Sequence, residues 1–168
     1  MGRLRPADVL AGIGGVVLLA SLWLDWYGID VGALIRGANP AGDGVLSVLN
    51  TFSTPELTGW QAFSVVDILL ALAALLAIGV PVTSALAHSP AKPVAFALLA
   101  TVAGALAVLL VLYRIVDQPG SNALVTVKAG AWIGLTGAIL AFVGSWLALA
   151  DDSTPGATPP QVPRRPAP

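Results

Sequence analysis

The sequence predicts an all-α fold, a four-helix transmembrane bundle with a long first outer loop. Three observations lead there. Apolar stretches occupy 9–24, 63–82, 93–113 and 127–150. The short segments between them hold nearly all the charge. Only 10% of the 168 residues are charged and 57% are hydrophobic, with a mean hydropathy of +0.86, whereas a soluble domain carries about 25% charge. So little polar surface cannot clothe a globule of this size in water. Hydrocarbon accepts it, because a helix satisfies its own backbone and about 20 apolar residues cross the core. The chain divides into a helical membrane domain, 1–152, and a proline-rich tail, 153–168.

The first span starts near Pro6-Ala7-Asp8, with proline in the first turn and Asp8 placed to cap free amides. Arg3 and Arg5 precede it as they would a signal peptide. Bulky Trp23, Trp26 and Tyr27 stand where a small-residue cleavage site should be, so the segment reads as a retained helix ending in an interfacial aromatic belt. Gly12, Gly14 and Gly15 permit close helix contact in lipid. The longest loop, 25–60, contains Asn39-Pro40, Gly42-Asp43-Gly44 and a short apolar segment, 45–49. That segment could form a short helix, a turn or a strand.

The second span follows Gly59-Trp60-Gln61 and runs to about Gly79, with Pro81 in its last turn. A turn with His88, Ser89 and Pro90 leads to the third span, which is free of charge from Pro93 to Leu112 and closes on Tyr113-Arg114 at a headgroup boundary. Pro119-Gly120-Ser121-Asn122 makes the next turn. The fourth span is stopped by Asp151-Asp152. Beyond it, the six prolines from Pro155 to Pro168 exclude a regular helix.

An even number of spans puts both termini on one side. With the termini inside, Arg3, Arg5, Lys92, Arg164 and Arg165 face the cytoplasm and Arg36, Arg114 and Lys128 lie outside, five against three. That bias and the acidic long loop place the termini in the cytoplasm of a multi-pass cell-membrane protein.

Asp67 stands out, one turn inside an apolar run, where an ionised carboxylate is costly unless it is paired or reaches water. Asp25, Asp67, Arg114, Asp117 and Lys128 all fall near the outer face and form a candidate polar cluster, with an Asp67–Arg114 pair at its centre. The competing reading, a proton relay or ion-entry ligand, lacks a second acidic or histidine residue at midplane depth. His88 alone in a turn reads as a surface residue. In the fourth span Gly130, Gly134 and Ala138 form one helical step, and Gly137, Ala141 and Ser145 form another. Ala97, Thr101 and Ala105 do the same in the third span. Such faces serve bundle packing or dimerisation, and the sequence alone does not separate the two.

The remaining classes have no support in the residues. A net charge of -1 gives no basic surface for nucleic acid. The absence of cysteine removes disulfides, thiolate chemistry and cysteine-based metal sites. No phosphate-binding glycine loop, HExxH pattern or serine elbow is present. No cofactor and no catalysis are expected.

Ser21-Leu22-Trp23-Leu24-Asp25-Trp26-Tyr27, Gly59-Trp60-Gln61-Ala62-Phe63, Leu112-Tyr113-Arg114-Ile115-Val116-Asp117-Gln118-Pro119-Gly120 and Gly130-Ala131-Trp132-Ile133-Gly134-Leu135 together resemble small uncharacterised four-span membrane proteins of actinobacteria. The resemblance covers nearly everything before the tail and implies no activity. The layout is also broadly similar to claudin-like tetraspan proteins. The chain lacks their Trp-Gly-Leu-Trp motif and paired loop cysteines, so that likeness is one of topology. The expected role is structural: a scaffold, assembly factor or accessory subunit in contact with lipid and with a membrane-protein partner or further copies of itself. An oligomeric small channel or transporter is the competitor.

Overall fold

The computed structural model describes residues 4–29, 56–62, 65–86, 91–118 and 125–153. The expectations for 45–49, His88, the turn at 119–122 and the tail from 154 onward lie outside the described residues.

Four apolar helices form the bundle: α1 (Pro6–Ser21), α3 (Val66–Leu86), α4 (Ala91–Val116) and α5 (Ala129–Ser153). The last three are long and apolar enough to cross a membrane. α1 has 16 residues and is shorter. It lies between α3 and α5, and α4 completes the ring opposite it. A one-turn helix, α2 (Gly59–Ala62), and three short strands, β1 (Asp25–Ile29), β2 (Leu57–Thr58) and β3 (Val125–Val127), cap one end. The chain is a multi-pass membrane protein built from packed helices.

Local chemistry sets the ends of α1. Pro6 occupies the first turn, and the Arg5 backbone N–H donates to Asp8 Oδ2 at 3.1 Å. Pro81 sits five residues inside the end of α3, not in its last turn. The helix continues past it, with the Thr83 hydroxyl donating to the carbonyls of Gly79 and Val80.

The side-chain distribution is the inverse of a soluble bundle. Among the described residues, twelve of the nineteen buried hydrophobic ones are alanine. Ile13, Leu72, Leu99, Leu106 and Leu109 point outward. Large apolar surface toward the solvent is stable only when the solvent is itself apolar. Small residues inside then let backbones touch and gain dispersion energy.

α1 and α5 take this furthest. A Cβ built on Gly14 would lie 2.2 Å from the Ala141 backbone nitrogen, one on Gly137 2.5 Å from that of Leu18, and one on Gly144 2.3 Å from that of Ala11. The pairs follow one antiparallel register along the whole contact. On the other flank of α1, Gly12 receives the Pro81 ring and Gly15 meets the Ala74 carbonyl and Ile78.

The sheet has the order β2-β1-β3 and is antiparallel throughout. Tyr27 pairs with Val127, and Ile29 with Val125. Strand residues ordinarily alternate between faces. The register of β1 against β2 is irregular between Asp25 and Tyr27, and the rings of both Trp26 and Tyr27 are fully buried. This corrects the aromatic-belt expectation for these two residues. Trp23, Trp60 and Trp132 at this end are exposed and do face outward.

Candidate functional site at the sheet end of the bundle

β1 follows α1, β2 leads to α3, and β3 joins α4 to α5, so the C-termini of α1 and α4 meet the N-termini of α3 and α5 at one end. The polar residues singled out from the sequence gather there in two groups.

In the first group, Lys128 forms an ion pair with Glu56 across β1. The hydrogen bond from Lys128 holds the Glu56 carboxyl below the ordinary carboxylate range. The Lys128 stem lies across Gly28, where a side chain would obstruct it. Its backbone N–H donates to the Trp26 carbonyl at 2.8 Å, continuing the sheet pairing into the first turn of α5. The pair is solvent-exposed and screened, so it adds little to the stability of the fold.

Tyr27 leads to the other group. Its hydroxyl donates to the Arg114 carbonyl at 2.8 Å, satisfying one of the orphan acceptors at the end of α4. Asp117 accepts from the Tyr113 hydroxyl, and the Arg114 guanidinium lies 5.9 Å from the Tyr113 ring centre. Asp67 is buried, in the electrostatic field of Arg114, and its Oδ1 has no hydrogen-bond partner among the described residues. Ser145 Oγ is likewise buried and without a hydrogen-bond partner among the described residues, about two thirds of the way along α5.

The four small residues singled out in α5 have two different roles. Gly137 and Ala141 meet the backbone of α1. Gly134 instead opens a slot for the Trp26 ring, where a side chain would lie 2.7 Å from its Cζ2, and Gly130 meets β1, 2.5 Å from the Asp25 carbonyl oxygen and 2.9 Å from Trp26 Cδ1. Trp26 Nε1 donates to the Ser21 carbonyl at 2.7 Å at the end of α1. Trp26, Tyr27 and Glu56 were not among the residues assigned to a site from the sequence. Trp26 had one available signal, its position five residues past the last residue of a helix whose C-terminal carbonyls need donors.

Burial pushes the Tyr27 phenol up to about 12 from 10.0, with Arg114 opposing and Asp117 reinforcing the rise. A phenol that ionises later in the folded state than in the unfolded chain leaves stability unaffected below pH 10 and lowers it from there to about 12. Melting curves in mild detergent across that interval should therefore decline for the wild type and flatten for Tyr27→Phe. An unchanged decline in the variant would assign the effect to another group.

A comparison with protein-family models, curated proteins and solved structures found no match. Among the described residues no group of three or more His, Asp or Glu could hold a metal ion.

Proposed function

We propose that the chain is a structural or accessory subunit of the cell membrane, a scaffold or assembly factor without catalytic activity. It presents its outward helix faces to lipid and partner helices, and its sheet-capped end, with the long loop between β1 and β2, to partners outside the cell. The observation that carries this reading is the filled bundle axis. Ala11, Ala100 and Ala148 near the terminal end, and Leu18, Leu70, Val111 and Ala138 toward the sheet, are all essentially without accessible surface. Beside that axis α1 and α5 meet backbone to backbone.

The buried Asp67 Oδ1 favours the second reading, an oligomeric channel or transporter, in which the carboxyl would serve ion entry. Proteoliposomes separate the two. The scaffold reading expects proton, sodium and chloride flux at the level of empty vesicles. Flux abolished by Asp67→Asn would overturn it in favour of transport.

Orientation is tested on the same protein, whose lack of cysteine makes single thiols clean reporters. Glu56→Cys should label from outside intact cells and Asp151→Cys only after permeabilisation. The reverse pattern would place the termini outside.

A further inference from the structure

Two adjacent residues of β1 tie three of the four bundle helices together at the sheet end. Trp26 Nε1 donates to the Ser21 carbonyl at the end of α1, and the Tyr27 hydroxyl donates to the Arg114 carbonyl of α4. The Lys128 backbone N–H, which leads into α5, donates to the Trp26 carbonyl. The three bonds measure 2.7, 2.8 and 2.8 Å. α3 is the exception. It enters from β2 through α2, and among the described residues no hydrogen bond from the sheet reaches it.

α3 is gripped further along. Gly15 of α1 meets the Ala74 carbonyl and Ile78, Gly12 receives the Pro81 ring, and Gly79 receives the edge of the Phe96 ring of α4. Residues 66–73 precede all of these contacts. They pack inward through Leu70, which has no accessible surface. On the α4 side they border an open groove of about 210 Å³, with Leu69, Leu72 and Ala73 on one wall and Ala103, Leu106 and Leu110 on the other. The same stretch carries Asp67, which is buried, lacks a hydrogen-bond partner at Oδ1 among the described residues, and feels the charge of Arg114. Asp67 lies two residues before Leu69 on α3, and Arg114 about one turn beyond Leu110 on α4. Drawing the first turns of α3 toward α4 narrows the groove and brings carboxylate and guanidinium closer in one movement.

We propose that the sheet-side half of α3 is a lever with two packing positions, pivoting on its glycine contacts with α1 while β1 holds the ends of the other three helices. In the open position, the one described above, Leu70 packs inward and the groove stays on the outer face. In the closed position Leu69 and Leu72 meet Leu106 and Leu110 across the groove, and the Asp67 carboxylate accepts from Arg114. A guanidinium has five donors, so this bond requires no release of partners that Arg114 already holds. Closure gains dispersion contacts and a charge-assisted hydrogen bond, and loosens the fit around Leu70. Opposed terms of that kind keep both positions populated. The groove lies on a face turned to lipid and partner helices, so the two positions offer a partner different lateral surfaces. This goes beyond the scaffold reading, which stands whether or not α3 moves.

The test is distance measurement by pulsed spin-label spectroscopy on the full chain in lipid nanodiscs. The chain has no cysteine, so labels enter only at introduced pairs. Ala20 on α1, Ile68 on α3 and Leu109 on α4 are exposed and serve as the three sites. Ile68→Cys with Leu109→Cys should give two distances about 2–5 Å apart, the span of helix shifts in known switches. Ala20→Cys with Ile68→Cys should show the opposite change, and Ala20→Cys with Leu109→Cys a single distance. Asp67→Asn should deplete the closed population about tenfold, as expected for a weakened bond to a charged group. Ala103→Leu, which fills the groove and leaves Asp67 intact, should keep only the open distance. A single Ile68–Leu109 distance in the wild type would overturn the proposal. So would a closed population that survives either variant, or an Ala20–Leu109 distance that shifts along with the others.

Discussion

Replacing Gly14 with alanine is expected to force α1 away from α5 and lower stability by about 2 kcal/mol or more, within the range for overpacking a close contact. The new methyl would lie 2.2 Å from the Ala141 nitrogen and 2.6 Å from the Leu140 carbonyl carbon, both backbone atoms. Neither can rotate aside, so a whole helix must shift and the contacts at Gly137 and Gly144 must open with it. Intrinsic propensity acts in the opposite direction, since alanine favours a helix over glycine by about 1 kcal/mol. The clash wins because relieving it affects every pair in the register. Gly79→Ala is the control. Its methyl would meet the far edge of the Phe96 ring, which can turn away, so propensity should offset most of the cost. Thermal unfolding of both variants in the same detergent decides the matter. If Gly79→Ala were the damaging change and Gly14→Ala melted with the wild type, the α1–α5 backbone contact would not be what holds the bundle.

Loss of the Trp26 ring should have the next largest effect. Trp26→Ala empties a site with no accessible surface, in contact with Gly130 and Gly134, and should cost about 3–5 kcal/mol. Trp26→Phe keeps much of the volume but leaves the Ser21 carbonyl without the indole donor, at about 1–3 kcal/mol. A spectroscopic signature separates burial under the sheet from a place in the membrane belt. Trp23, Trp60, Trp132 and Trp146 are all exposed, from 39% to 61%. With those four changed to phenylalanine, the emission of Trp26 should stay blue-shifted and resist quenching by brominated lipid. Strong quenching would return Trp26 to the lipid boundary.

The outcome for Trp26 illustrates why part of the site was legible in the sequence and part was not. Asp67 could be singled out because a carboxyl inside an apolar run is anomalous in any hydrocarbon environment, whatever its neighbours. Arg114, Asp117 and Lys128 followed from their distance to the span ends, which fixes depth. Depth alone does not fix azimuth. Whether Lys128 turns toward Asp67 or toward Glu56 depends on how β3 is paired, and that pairing links residues about a hundred positions apart in the chain. The short strands were equally hidden. Five-, two- and three-residue segments have too little periodicity to stand out beside spans of more than twenty.

Gly130, Gly134, Gly137 and Ala141 show the same division within one helix. Their spacing declares a face that something approaches closely, and it does not say what. The register against α1 assigns Gly137 and Ala141 to a neighbouring backbone, and the strand that follows α1 inserts an indole at Gly130 and Gly134.

The amino-acid sequence by itself determined the apolar solvent and the helical architecture, because the transfer of apolar groups between water and hydrocarbon is a local property of each segment. Tertiary structure alone decided which small residues face which neighbour, that Trp26 and Tyr27 turn inward, and that Lys128 pairs with Glu56. Those outcomes rest on the azimuth and register of packed helices, which are set by steric fit between segments far apart in the chain.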